Sequence, residues 1–317
     1  MKDLFWNETD KIIEINIYAD ESKSRKDSNW NDWHYICIII DNLTNKPLLN
    51  SIENVRFKNN QNDNDFYEKN NKIIHRCNIS SADEKNVCKR WFQYILDNKD
   101  WNFYSAVLWI NVSLLDEKSF WGKNFNVIYN RFFRTVIIYA VKKYFHWYNV
   151  VIKNIFHETW EQKDYDIFST HPIKAINTLC ENIYVECNKI TFLWKDHKEN
   201  IHANLLQLCD AYLWVVVNLL DWCENYESKR FLCNKKELID LMLPLIERLL
   251  INPDNKNSRY NYYKHQSISF FPKESNTMLW ELNKQEVINY INGFYKNREL
   301  KYKEYYMPHK QLPLFDL

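Results

Sequence analysis

From Leu205 to Trp222 the chain reads LLQLCDAYLWVVVNLLDW. Apolar residues fall on every side of such a helix, so the spacing predicts one buried all round. Upstream, Ile12–Ala19 (IIEINIYA) alternates as a strand does and runs into Asp20-Glu21-Ser22. His34–Asp41 (HYICIIID) is apolar and β-branched throughout, which predicts a buried central strand paired with the first in a long hairpin. Further strands are predicted at Asn102–Val112, Val150–Phe156 and Lys189–Trp194, the last before the buried helix, with a short one at Asn54–Lys58. Helices are predicted from the Ser80-Ser81-Ala82-Asp83-Glu84 start to Asp97, over Phe125–Phe145, and over Pro172–Asn182, where proline opens the first turn.

Strands alternating with helices after an initial hairpin predict an α/β fold, a mixed sheet flanked by helices. This pattern fills residues 1–225. Beyond Tyr226 the periodicity is helical, over Lys235–Leu250 and Lys284–Leu300, with a polar, aromatic loop at Asn252–Tyr263 between them. Residues 226–306 are therefore expected to form a helical appendage and 307–317 an extended tail.

Composition narrows the chemistry. Across 317 residues the net charge is +1, so any nucleic-acid groove must be local rather than the work of a global field. Gly122 and Gly293 are the two glycines, which excludes a P-loop, a dinucleotide fingerprint and a nucleophile elbow. The eight cysteines form no Cys-x-x-Cys pair, and the N-terminus MKDLFWNETDK lacks a signal-peptide pattern, so a reducing cytoplasm is expected. No membrane span is expected either, because the longest apolar stretch holds Asp210 and Asp221.

Asp210 is the anomaly in that stretch. An ionised carboxylate inside an all-round apolar helix costs several kcal/mol unless a cation sits on it. That cation is either a core Lys or Arg, or a metal ion. Two other acids share a placement: Asp20 ends the first strand and Glu158 ends a later one. Strand ends on one edge of an α/β sheet open on one crevice, where carboxylates make an oxygen-rich site suited to Mg²⁺ or Mn²⁺. His157-Glu158-Thr159-Trp160-Glu161 starts like a zinc-protease helix but has Glu161 in the second His position, which excludes that reading. His75 could approach the acids from the hairpin side, though a lone His beside a strand is more often structural.

The ordered set of motifs resembles the domain of unknown function 3800 family. That family has a strand running into Asp-Glu-Ser-Gly, a later strand ending in Phe-Asp-Glu, then Asp-Ser-Lys and a helical Gln-Leu-Ala-Asp-Leu. Here the matching stretches are IYADESK (Ile17–Lys23), Ile155-Phe156-His157-Glu158, TFLWKDHK with Asp196, His197 and Lys198, and Gln207-Leu208-Cys209-Asp210-Ala211. The resemblance spans about residues 12 to 220 and implies a ribonuclease-H-like fold with a metal-dependent nuclease site. It implies Asp20 and Asp210 as principal metal ligands and Glu158 completing the shell. Glu21 and Asp196 would be outer ligands, and Lys198 a phosphate contact. Lys23 stands in place of the family Gly, which predicts a reshaped turn after the first acid. His157 stands in place of Asp, which predicts one carboxylate fewer in the centre, and His197 in place of Ser.

Asn255–His265 (NKNSRYNYYKH) and Tyr295–Tyr306 (YKNRELKYKEYY) interleave bases with tyrosines, residue types that suit phosphate contact and base stacking. In the tail, Gln311-Leu312-x-Leu314-Phe315 resembles the peptide by which bacterial polymerases and repair proteins dock on the sliding clamp. Gln311 would hydrogen-bond while Leu314 and Phe315 enter an apolar pocket. The expectation that follows is a metal-dependent nuclease acting on DNA or RNA, in bacterial defence or a mobile element. The alternative is a catalytically inactive module of the same fold that binds nucleic acid or a partner.

Overall fold

A computed structural model describes residues 11–26, 32–57, 70–75, 79, 81–97, 101–115, 118, 124–159, 167–220, 237–246, 249 and 265–271. Strand β1 (Ile12–Lys26) and β2 (Asp32–Asn42) form the long antiparallel hairpin, and β3 (Tyr104–Asn111) adds antiparallel to β2. β4 (Asn149–Glu158) lies parallel to β1 on its other side. β5 (Ile183–Val185) and β6 (Thr191–Leu193) both pair parallel with β4, at its start and its end respectively. β7 (Gln266–Phe271) closes the far edge parallel to β3, so the mixed sheet runs β5-β4-β1-β2-β3-β7.

Alternation explains the two layers. Ile13, Ile15, Ile17 and Ala19 of β1 and Ile36, Ile38 and Ile40 of β2 face one side, packed under α3 (Phe125–Tyr144) and α4 (His171–Leu179). Tyr18, Tyr35, Cys37 and Ile39 face the other, under α1 (Leu48–Phe57), α2 (Ala82–Asp97) and α5 (Ala203–Leu220). β2 is apolar on both faces because it is covered on both. α5 is buried from Ala203 through Val217, wrapped by the sheet, α1, α2 and the helical residues 237–246. Its all-round apolar pattern is thereby accounted for.

Several expectations need correction. Residues 54–57 are helical, not a strand: Leu48, Leu49, Ile52 and Arg56 recur at helical spacing and share the buried face of α1. Asp41 Oδ1 accepts the Leu48 amide at 2.6 Å and so ties the start of that helix to β2. β1 does not end at Asp20. It stays paired with β2 through Ser22, passes a register irregularity between Ser22 and Arg25, and continues to Lys26. Lys23 therefore sits in an irregular strand rather than at a tight turn. β6 is not the last strand, because β7 falls within residues 226–306, where helices alone were expected. The three residues of β5 are too few to carry a period of their own.

At α2, Ser81 and Glu84 form a reciprocal capping box. Glu84 N donates to Ser81 Oγ at 3.2 Å, and Ser81 N donates to Glu84 Oε2 at 3.0 Å. Ser81→Ala is expected to lower the unfolding free energy by about 1 kcal/mol, read as a shift of the urea midpoint; an unchanged midpoint contradicts the assigned cap.

Candidate functional site

Three of the expected residues meet. Asp20 projects from β1 at the point where its parallel partner ends, just past the Ala19–His157 pair. Glu158 is the last residue of β4, opposite Leu193 of β6. Asp210 reaches down from α5. What gathers them is Lys195, two residues beyond β6. Its Nζ stands 2.6 Å from Glu158 Oε2, 2.9 Å from Asp210 Oδ2 and 3.3 Å from Asp20 Oδ2. Because all three oxygens lie so close to one nitrogen, no two can be separated by more than twice the longest of these distances. Asp20, Asp210 and Lys195 are buried, while Glu158 keeps 16% of its side chain exposed and forms the open side of the cluster.

The electrostatics follow from crowding. Burial pushes the Asp20 carboxyl well above the usual carboxylate range. The Lys195 ammonium draws it down, and the neighbouring Asp210, Glu158 and Glu21 carboxylates add to the upward push. For Lys195, burial works against the charge, but Asp20, Asp210 and Glu158 together hold its proton above the usual lysine range. His75 Nε2 lies 3.9 Å from Glu158 Oε1, beyond hydrogen-bond reach.

Other expected residues lie elsewhere. Strand alternation turns Glu21 to the opposite face of the sheet from Asp20, and His157 to the opposite face from Glu158. There His157 Nε2 stands 3.1 Å from Glu21 Oε2 and 2.7 Å from the Tyr129 hydroxyl. Its Nδ1 donates to the Glu158 carbonyl at 2.9 Å. Burial lowers the tendency of His157 to protonate, but the Glu21 carboxylate outweighs it and the pKa is raised overall. Glu21 is thus the partner of His157 rather than an outer ligand. The His in place of Asp removes nothing from the Asp20–Asp210 side.

Asp196 caps a turn: its Oδ1 accepts the Lys198 amide at 2.9 Å and its carbonyl accepts from Asn200 at 3.2 Å. Lys198 is exposed at that turn. The clamp-like Gln311, Leu314 and Phe315, residues 295–306 and 255–264 lie outside the described residues.

A second buried network fixes the site's frame. Gln207, one turn before Asp210, donates from Nε2 to the Lys195 carbonyl at 2.7 Å. Its Oε1 accepts from Ile74 N at 2.9 Å and from Arg56 at 3.1 Å. Arg56 also donates to Asn204 Oδ1 at 2.7 Å, to the Asn70 carbonyl at 2.8 Å and to the Lys72 carbonyl. His197 Nδ1 faces Gln207 Nε2 at 3.2 Å, and its Nε2 faces Asn71 Oδ1 at 2.6 Å. Nδ1 is therefore the acceptor and Nε2 carries the proton.

Sequence reading missed Lys195, Arg56 and Tyr129. The available signal for Lys195 was its place directly after a strand ending beside Glu158. Among the described residues no group of three or more His, Cys, Asp or Glu side chains could hold a metal ion. No helix among them is long and apolar enough to cross a membrane. Comparison of the chain with protein-family models, curated proteins and solved structures found no match.

His197 yields a pH prediction. Burial and the neighbouring Arg56 charge lower its pKa to about 4. The unfolded chain, with an ordinary value near 6.5, therefore binds more protons between those limits. The stability that His197 contributes is complete above about pH 6.5 and is lost as the pH falls toward 4. In His197→Gln that acid-side slope flattens in urea titrations between pH 4 and 7; an unaltered slope contradicts the neutral assignment.

Proposed function

We propose that the chain is a metal-dependent nuclease of ribonuclease-H-like fold, with Asp20, Glu158 and Asp210 as its acidic centre. The observation that carries the reading is the convergence of these three acids, from β1, β4 and α5, on one buried point. The strand order β3-β2-β1-β4-β5, antiparallel through the hairpin and parallel after it, is consistent with that fold. It also sets Asp20 and Glu158 where the parallel pairing of β1 with β4 ends, although β1 itself runs on.

The donor set suits the ion. All three donors are hard carboxylate oxygens, matched to Mg²⁺ or Mn²⁺, and the Lys195 ammonium is a cation already seated among them. Mg²⁺ binds through one or two carboxylates and retains several waters, so it does not need three side chains closed around it. A bound divalent ion would supply an activated water and charge stabilisation for phosphodiester cleavage. Lys195, and not Lys198, is the lysine at the centre and the one to meet a phosphate oxygen there. Trp194, 67% exposed and next to Lys195 in the chain, offers a face on which a base can stack.

Labelled single- and double-stranded DNA and RNA, incubated with the purified chain and Mg²⁺, Mn²⁺ or EDTA, test the reading. Cleavage is expected with either metal and not with EDTA. Asp210→Asn should lower the rate at least about a hundred-fold, or about 2.7 kcal/mol of barrier. Binding without cleavage of any substrate would instead favour a non-catalytic module of the same fold.

A further inference from the structure

The outer side of the α3–α4 layer carries charge of one sign. Neither helix holds an Asp or Glu, and together they hold Arg131, Arg134, Lys142, Lys143 and Lys174. The whole chain has a net charge of +1, so +5 here leaves −4 for the remainder. The apolar stripe of α3 (Ile128, Phe132, Phe133, Val136 and Ile137) is buried on the sheet, which turns the basic residues outward. Arg134, Ile138 and Lys142 recur every four residues along one ridge, with Arg134 half-buried and Lys142 exposed. Lys174 is exposed on α4, which packs against α3. Among the described residues, none of Arg134, Lys142, Lys143 and Lys174 is in an ion pair. Lys143 Nζ lies 3.3 Å from the Tyr139 hydroxyl and over that ring. Arg134 and Lys142 are about 12 Å apart along the helix axis, the rise of about three to four stacked nucleotides of one strand. Directly after α3 the chain turns, with Tyr148 N donating to the Phe145 carbonyl at 3.0 Å. That turn presents Trp147, 81% exposed, its ring 4.6 Å from the ring of the exposed His146.

We infer that this surface binds single-stranded nucleic acid, with phosphates on Arg134, Lys142, Lys143 and Lys174 and an unpaired base on Trp147. A basic track with an exposed aromatic ring at its end supplies the two contacts that sequence-tolerant strand binding uses, charge for the backbone and a face for a base. A bilayer is the poorer fit. An interfacial helix needs an apolar face to bury, and α3 spends its own on the sheet, leaving Ile138 on the ridge. The base must be unpaired, because in a duplex each base is already stacked between its neighbours. The surface is separate from the acidic cluster. α3 and α5 cover opposite faces of the sheet. Trp147 precedes β4 and Glu158 ends it, so the ten residues of that strand set them about 30 Å apart. Strand binding here requires no metal and does not rest on the acids being catalytic.

A fluorescein-labelled oligothymidylate, titrated in EDTA with the full chain and followed by fluorescence anisotropy between about 50 and 200 mM salt, tests it. The native chain is expected to bind, with an affinity that falls steeply as salt rises. Arg134→Gln combined with Lys142→Gln should weaken binding about ten-fold or more. It should also reduce the slope of log K against log salt by about 1.4, the share of two phosphate contacts on a single strand. Trp147→Ala should weaken binding about five-fold or more and leave that slope unchanged. Lys142 and Trp147 face solvent, so these variants are expected to melt with the native chain. Should the double variant unfold, Lys174→Gln on the other helix repeats the test, with a slope reduced by about 0.7. No binding by the native chain, or an unchanged slope in the basic variants, overturns the inference. So does native affinity in Trp147→Ala, or tighter binding to phosphatidylserine vesicles or to duplex than to the strand. Because the measurement is made in EDTA at residues outside the acidic cluster, either result leaves the nuclease reading to its own assay.

Discussion

The meeting of one ammonium with three carboxylates under α5 constrains everything around it. Each of these charges alone would cost several kcal/mol to bury, and removing one partner of such a group typically costs about 3–5 kcal/mol because its counterpart is left uncompensated. Asp210 can sit at 1% exposure in an apolar helix because Lys195 reaches it. Lys195 can be buried because strands β1 and β4 end or lose their neighbour at the same level and point Asp20 and Glu158 inward. The site is thus a consequence of register. A one-residue slip between β1 and β4 would turn their acids to the other face and strand the lysine.

The same parity rule separates two polar groups that are adjacent in sequence. Asp20-Glu21 and His157-Glu158 are neighbouring dipeptides on parallel strands, and each sends one side chain to either face. The α5 side receives Asp20 and Glu158 with Lys195; the α3 side receives Glu21 and His157 with Tyr129. In the second group the His157 ring packs against Phe133, Phe168 and Phe192. Through Nδ1, His157 also grips the Glu158 carbonyl, so this face braces the strand end that carries Glu158.

Much of this was legible in the chain. The hairpin, the long helix over α3 and the all-round burial of α5 follow from hydrophobic period, and Asp210 announced itself as a charge that required a cation. Of the two readings of that cation, the structure shows the core lysine: Lys195 sits on Asp210, and the two strand-end acids join it. Alternation in IYADESK already assigns Asp20 and Glu21 to opposite faces, a step that a list of acids passes over. Lys195 was passed over because the family resemblance favoured Lys198, although its place just after β6 was a signal. Its selection depends on the turn that Asp196 caps, which sends Lys198 outward. β5 and β7 are short and take their conformation from the strands they join, and α1 hides its period behind Asn and Arg.

Arg56 anchors the frame beside the centre. It is a fully buried guanidinium bonded to Gln207, one helical turn before Asp210. Its donors reach the carbonyls of Asn70 and Lys72 and the side-chain amides of Asn204 and Gln207, and its Cζ lies over the Trp91 ring at 5.3 Å. The positive charge of Arg56 is therefore spread into dipoles that bind α1, α5 and residues 70–75 together, while the charge of Lys195 is spent entirely on the acids. Gln207 joins the two systems through neutral hydrogen bonds, holding the lysine's backbone without altering the charge around its ammonium. The acidic cluster and the Arg56 network are thus separate polar groups that meet at Gln207.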